Sequence, residues 1–177
     1  MKRILKRKPK KHVDLASKYN FSGYLSLFLP VDFVDLRPVT AHLPGLKIIK
    51  ANILRLPYKS NSVPSISSLH VIEHIGLGRY GDAIDPDGTN KAIREMIRVV
   101  KRGGYIYLSL PIGQYRLCFN AHRIHTPEMI ISQFNGCKLI EFSAVDDEGL
   151  LHEKVNWRKY GRLHYGCGLF LFRKNIL

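Results

Sequence analysis

At 177 residues the chain has room for one domain with its own hydrophobic core, and its 45% hydrophobic and 24% charged residues exclude a disordered or fibrous protein. The formal net charge is +14, and Met1 to Lys11 carries seven Lys and Arg and no acid, leaving 21 basic against 14 acidic residues elsewhere. No apolar run approaches membrane-spanning length, and Asp14, Lys18 and Asn20 interrupt the basic start before any apolar stretch, so a cytoplasmic location is expected.

Residues 1–11 are expected to form a disordered basic arm, and 12–177 the domain. Such an arm suits polyanions, but no repeated aromatic–basic pattern follows it, so nucleic-acid binding is not the favoured reading. HVDLA at 12–16 reads as a first strand. SKYNFSG follows as a linker, then GYLSLFL as a short helix stopped before Pro30. VDFVDL at 31–36 and LKIIKANI at 46–53 are strands, the second introduced by the turn signal Pro44-Gly45. SISSLHVI is the next strand. The intervals between these strands are too short for long helices, which predicts short early crossovers and a thinly covered sheet face.

The richest stretch is Ser67 to Pro111, which reads strand, polar glycine loop, helix, strand, the unit of a parallel crossover. Ala92, Ile93, Met96, Ile97, Val99 and Val100 recur at helical spacing, with Gly103-Gly104 as the expected stop. A helix over 127–134 opened by Thr126, a strand over 138–145 and a last strand over 163–172 complete the chain. The whole predicts an α/β fold of three layers with a mostly parallel sheet and an antiparallel C-terminal strand.

Ligands in such folds gather at the carboxyl ends of strands. That edge carries His70, Glu73, His74, Arg79 and Tyr80. Glu73 with His74 suits a general-base pair, or a pair that fixes the loop by bonding each other. HVIEH at 70–74 matches an inverted zinc-protease signature, but Pro64 and the glycines around it give a strand-to-loop context rather than the helix that chemistry needs, so no metal is expected. Asp35 at a strand end suits a ribose anchor or a turn cap. His122, Arg123 and His125 before a helix could form an anion site or a solvated basic turn. Cys118, Cys137 and Cys167 lack the spacing of a disulfide framework or a metal knuckle and read as free thiols.

VDFVDLRP, IKANILRLPYKSNSVPSISSLHVIEHI and AIREMIRVVKRGGYIYLSLP, in that order, resemble the class I S-adenosylmethionine-dependent methyltransferases over roughly residues 12–112. EHIGLGRYGDAIDPDG and FNAHRIHTP are similar to a methyltransferase-like family, domain of unknown function 268. The resemblance implies a Rossmann-like methyltransferase fold and S-adenosylmethionine as cofactor. It implies that Asp14, Ala16 and Ser17 lie at the first cofactor motif, that Asp35 holds the ribose, that Asn52 and Ile53 flank the adenine, and that His70 lines the methionine end. The usual glycine-rich first motif is absent, Asn52 replaces an aspartate, and Arg102 stands where proline is common. The expected activity is methyl transfer to a small or saccharide-like acceptor, with Glu73 or His74 as base and Arg79, Tyr80, His122 and Arg123 on the acceptor. The alternatives are a non-catalytic binding or scaffold protein of the same fold and a nucleic-acid-binding protein acting through the arm.

Overall fold

Alternation along HVDL decides how the first strand sits. In the computed structural model, which describes residues 1–176, β1 (His12–Leu15) turns Val13 and Leu15 into the main core and sends His12 and Asp14 to the opposite face. β2 (Val31–Asp35), β3 (Leu46–Lys50), β4 (Val63–Leu69) and β5 (Val100–Ile112) extend the sheet in parallel around it. β8 (Cys137–Val145), β9 (Leu151–His152) and β10 (Gly166–Lys174) add an antiparallel half. The order across the eight strands is β3-β2-β1-β4-β5-β10-β8-β9, and β6 (Arg116–Cys118) with β7 (His122–Ile124) forms a separate small hairpin. The α/β expectation, with its antiparallel C-terminal strand and short early crossovers, is what the chain adopts.

The two faces are unequal. One is covered by α3 (Gly88–Val99) and α4 (Pro127–Gln133), whose Ile93, Met96 and Ile130 pack on Ile66, Ile106 and Phe172. Thr126 caps α4 by accepting the Met129 amide at 3.2 Å, and Pro127 occupies its first turn. Among the described residues the other face carries only α1 (Lys2–Lys6) and α2 (Tyr19–Ser26) over a small cluster of Ile4, Leu25, Val31, Tyr107 and Leu171.

Three expectations change. The basic arm is ordered: α1 lies on the sheet because Ile4, 2% exposed, seats against Tyr107 and Leu171. Three of its seven charges have partners within the molecule. Arg3 pairs with Glu141 and Glu153, Lys11 meets Asp32 at 2.6 Å, and Arg7 stacks 4.8 Å from the Tyr105 ring. Ile4→Ala should therefore lower stability by about 2 kcal/mol, at the lower end for a buried isoleucine because the cluster is small, as a melting curve would read. A loss near zero would return the arm to the status of a loose tail.

Second, α2 begins earlier than predicted. Its polar residues face a buried acceptor rather than a turn, since Ser22 Oγ donates to Asp14 Oδ2 at 2.8 Å. Asp14 also accepts from Ser17 and Ser67, and Ser67 in turn meets His12 Nε2 at 2.8 Å. Because Ser67 donates to the carboxylate, it accepts from the imidazole. That makes His12 Nδ1 the acceptor of Ser65 Oγ at 2.7 Å. This network fixes α2 to the sheet.

Third, Gly103-Gly104 does not stop a helix. α3 ends at Val99 and passes straight into β5, where the pairing with β4 jumps from Val63↔Val100 to Ser65↔Tyr105. The glycines form that bulge. A Cβ on Gly104 would lie 2.8 Å from the Lys101 carbonyl oxygen and 3.0 Å from that of Pro64, so a side chain there would force the backbone to shift.

Candidate functional site

β1 sits where connections diverge: one half of the chain runs outward to β2 and β3, the other to β4 and β5. Open α/β sheets bind ligands at the carboxyl ends of strands beside such a divergence. Here a cleft of about 360 Å³ opens at that point, lined among others by Ala16 after β1, Asp35 ending β2, Asn52 and Ile53 after β3, and His70 after β4. His74 and Tyr80 complete its far wall.

Ala16 and His70 both hold left-handed backbone, with φ of 52° and 57°. The first turn is thus made without a glycine, leaving the Ala16 methyl in the cleft wall. Asp35 Oδ1 accepts the Arg37 amide at 2.8 Å, a local turn bond, and its second oxygen has no partner among the described residues. Asn52 Oδ1 is likewise occupied by the Leu54 amide at 2.8 Å. Asp14 and Ser17 lie outside the cleft. Asp14 is fully buried, its carboxyl pushed up by burial, and Ser17 Oγ also accepts the Leu69 amide at 3.0 Å. They fix the turn that presents Ala16.

Behind the far wall lies Glu73, 1% exposed, on the 3-10 turn Ile72–His74. Its Oε1 is 3.3 Å from His70 Nδ1 and 3.7 Å from His74 Nε2, and its Oε2 is buried with no partner among the described residues. His74 Nδ1 is 2.5 Å from the Ala121 carbonyl oxygen, which can only accept. Nδ1 therefore carries the proton in the neutral ring, and Nε2 keeps the lone pair. His70 is lifted to about 10 by its contacts with Cys167 and Glu73, whereas burial and the nearby His74 push His122 down.

The residues expected on the acceptor side divide. Tyr80 lines the cleft, with Arg79 5.6 Å and Arg37 4.5 Å from its ring centroid. His122 lies 6.2 Å from His74, ring to ring. Arg123 is elsewhere: it is 5% exposed and its guanidinium donates to the carbonyls of Ile75 at 2.5 Å and Asp85 at 3.0 Å. The loop between is braced by its own polar groups. Asp82 accepts the Gly76 amide at 2.6 Å, Asp85 N donates back to Gly76 O at 2.9 Å, and a Cβ on Gly76 would fall 2.1 Å from the Asp85 carbonyl oxygen. Gly76 thus serves close approach, whereas Gly78 and Gly81 have room for a side chain and answer to their positive φ of 71° and 79°. Arg37 and Cys167 were not legible as site residues. Arg37 reads as ordinary strand-end polarity, and Cys167 reaches His70 across 97 positions of sequence.

Strand order and cleft together define a methyltransferase-like α/β protein. An S-adenosylmethionine-dependent methyltransferase from Methanosarcina mazei superimposes with a TM-score of 0.67 at 12% identity, covering 100% of this chain and 99% of that one. The N-methyltransferase NodS from Bradyrhizobium japonicum, solved with S-adenosyl-L-homocysteine, gives 0.62 at 12%, covering 93% and 78%. The [4+2]-cyclase SpnF gives 0.69 at 12%, covering 95% and 76%, so the fold also carries other chemistry. The chain belongs to the family described as Caenorhabditis protein of unknown function, DUF268, whose profile matches residues 57–159. No curated protein sequence matches it. No helix among the described residues is long and apolar enough to cross a membrane.

Proposed function

We propose that the protein is an S-adenosylmethionine-dependent methyltransferase acting on a small or saccharide-like acceptor. The observation that carries this is the convergence of Ala16, Asp35, Asn52, Ile53 and His70 on one cleft at the sheet's divergence point. The residues present fit the cofactor. The cleft lies within the range of small-ligand pockets, about 300–1,000 Å³. The free oxygen of Asp35 suits a ribose hydroxyl, Ile53 offers an apolar surface for a base, and His70 lies toward the methionine end. When bound, the cofactor supplies an electrophilic methyl group.

The chain's own part is positioning and proton removal. His74 Nε2 accepts the acceptor's proton, and the buried Glu73 carboxylate stabilises the imidazolium that results. Tyr80 supplies a ring for a sugar face, and Arg37 and Arg79 supply cations for an anionic substituent.

Calorimetric titration with S-adenosylmethionine and S-adenosylhomocysteine tests the reading. Micromolar binding is expected. A folded protein that gives no heat favours the non-catalytic member of the fold instead. Asp35→Ala should weaken binding by about 1.5–3 kcal/mol, the worth of hydrogen bonds to a charged group. Unchanged affinity in a folded variant removes Asp35 from the ribose.

A further inference from the structure

The cleft accounts for one side of His70 and leaves the other unexplained. His70 and Cys167 straddle the carboxyl end of β5: the His70 amide donates to Ser109 O at 2.8 Å, and Cys167 pairs with Pro111 across the neighbouring ladder. His70 Nε2 lies 3.2 Å from Cys167 Sγ, and Nδ1 lies 3.3 Å from Glu73 Oε1. A thiol, an imidazole and a buried carboxylate thus follow one another in contact, each ring nitrogen with its own partner. The only other polar contact of the sulfur among the described residues is the Gly168 carbonyl at 3.8 Å, which is longer. Nothing in methyl transfer to a bound acceptor requires this thiol.

We propose that Cys167, His70 and Glu73 form a second reactive centre, in which Cys167 is a nucleophile for small, soft carbon electrophiles bearing a leaving group. His70 Nε2 takes the thiol proton, and Glu73 holds the ring in line and stabilises its charge. The sulfur then forms a bond to carbon as the bond from carbon to the leaving group breaks. The leaving group departs with the bonding pair, and the proton stays on His70. The orphaned Oε2 of Glu73 fits this role, since a carboxylate buried beside a ring is compensated only when that ring is charged. The elevated affinity of His70 for its proton agrees with the same arrangement. The other titratable or charged groups around the three are His74 on the same turn, Arg116 and Cys118 on β6, His122 on β7, and Tyr165 just before β10. The centre does not depend on the methyltransferase reading, and no cofactor enters its test.

The test is alkylation of the full chain by iodoacetamide at pH 7, with each cysteine followed by peptide mass mapping. Cys137 is the internal slow reference, because burial pushes its thiol up to about 11. Cys167 is expected to react about tenfold faster than Cys118 and Cys137, since a thiolate and not a thiol is the nucleophile. His70→Asn should bring Cys167 down to the rate of Cys118; asparagine is chosen because it tolerates the left-handed backbone at that position. Glu73→Gln, which reaches the sulfur through His70, should move the midpoint of the alkylation pH profile upward, which a merely structural role would not do. If His70→Asn fails to fold, the comparison of the three cysteines in the natural chain decides. Cys167 reacting no faster than Cys118, or an undiminished rate in folded His70→Asn, overturns the proposal.

Discussion

Arg123→Leu should lower the unfolding free energy by about 3–5 kcal/mol and abolish cofactor binding with it. Its guanidinium donates to the Ile75 and Asp85 carbonyls, with Thr89 Oγ1 and Pro86 O at 3.4 and 3.5 Å. Hydrogen bonds to a charged group are worth about 1.5–3 kcal/mol each, and the leucine would take the charged donor from both carbonyls, leaving Ile75 O with no partner among the described residues while Asp85 O keeps the Gly88 amide. Those carbonyls belong to the segment that walls the cleft, since Ile75, Gly76, Asp82 and Asp85 all line it. Urea unfolding reads the first effect and calorimetry the second. If Arg123 instead held substrate, the denaturation midpoint would stay put and only the acceptor's KM would rise. That result would sink the brace.

Acidification should destabilise the protein by about 2 kcal/mol between neutral pH and pH 5 through His12 alone. Burial between β1 and β4 pushes His12 down to about 3. Its unfolded value is near 6.5, so between those limits the unfolded chain binds the extra proton. Stability is therefore complete above about pH 6.5 and falls by about 1.4 kcal/mol per unit below it. His125, pushed down to about 4 by burial and by Arg123, adds a second loss over the upper part of the same window. Asp14 opposes both. Its carboxyl is raised by burial, so its contribution grows as the pH falls toward the unfolded carboxylate value. Urea midpoints at pH 7, 6 and 5 measure the sum, and His12→Asn should flatten the slope. A slope that His12→Asn leaves unchanged would mean that His12 accepts a proton where it sits.

What could be read from the sequence was whatever repeats locally. The spacing of Ala92, Ile93, Met96 and Val99 places α3, and the alternation around Asp14 and Asp35 places β1 and β2. Strand ends then bring Ala16, Asp35, Asn52, Ile53 and His70 to one edge, because carboxyl ends of parallel strands share a side. What failed depends on partners far along the chain. Arg123 reads as a surface cation until Ile75 and Asp85 surround it. Ile4 and its neighbour Leu5 are a short apolar break in a run of lysines and arginines until the open sheet face gives them a seat. Gly103-Gly104 looks like a helix stop because glycine marks bulges and stops alike, and only the β4 pairing separates them. Asp14 and Ser17, next to the cleft in sequence, point under it, since a strand's neighbours alternate faces.

The position of β10 governs when the sheet can close during synthesis. Residues 166–174 are inserted between β5 and β8, so each of those strands waits with an open edge until the chain has grown past them. β8 is complete at Val145, 29 residues before the end of β10 at Lys174. At a bacterial or eukaryotic pace of about 5–20 residues per second, that interval lasts roughly one to six seconds. Through it, Phe142 and Ala144 lack the partner strand carrying Phe170. Two half-sheets with bare edges are the species most prone to pair with another nascent chain. Overexpression at high ribosome density should thus raise insoluble yield far more than the finished protein's stability would suggest, and slowing initiation rather than cooling should restore it.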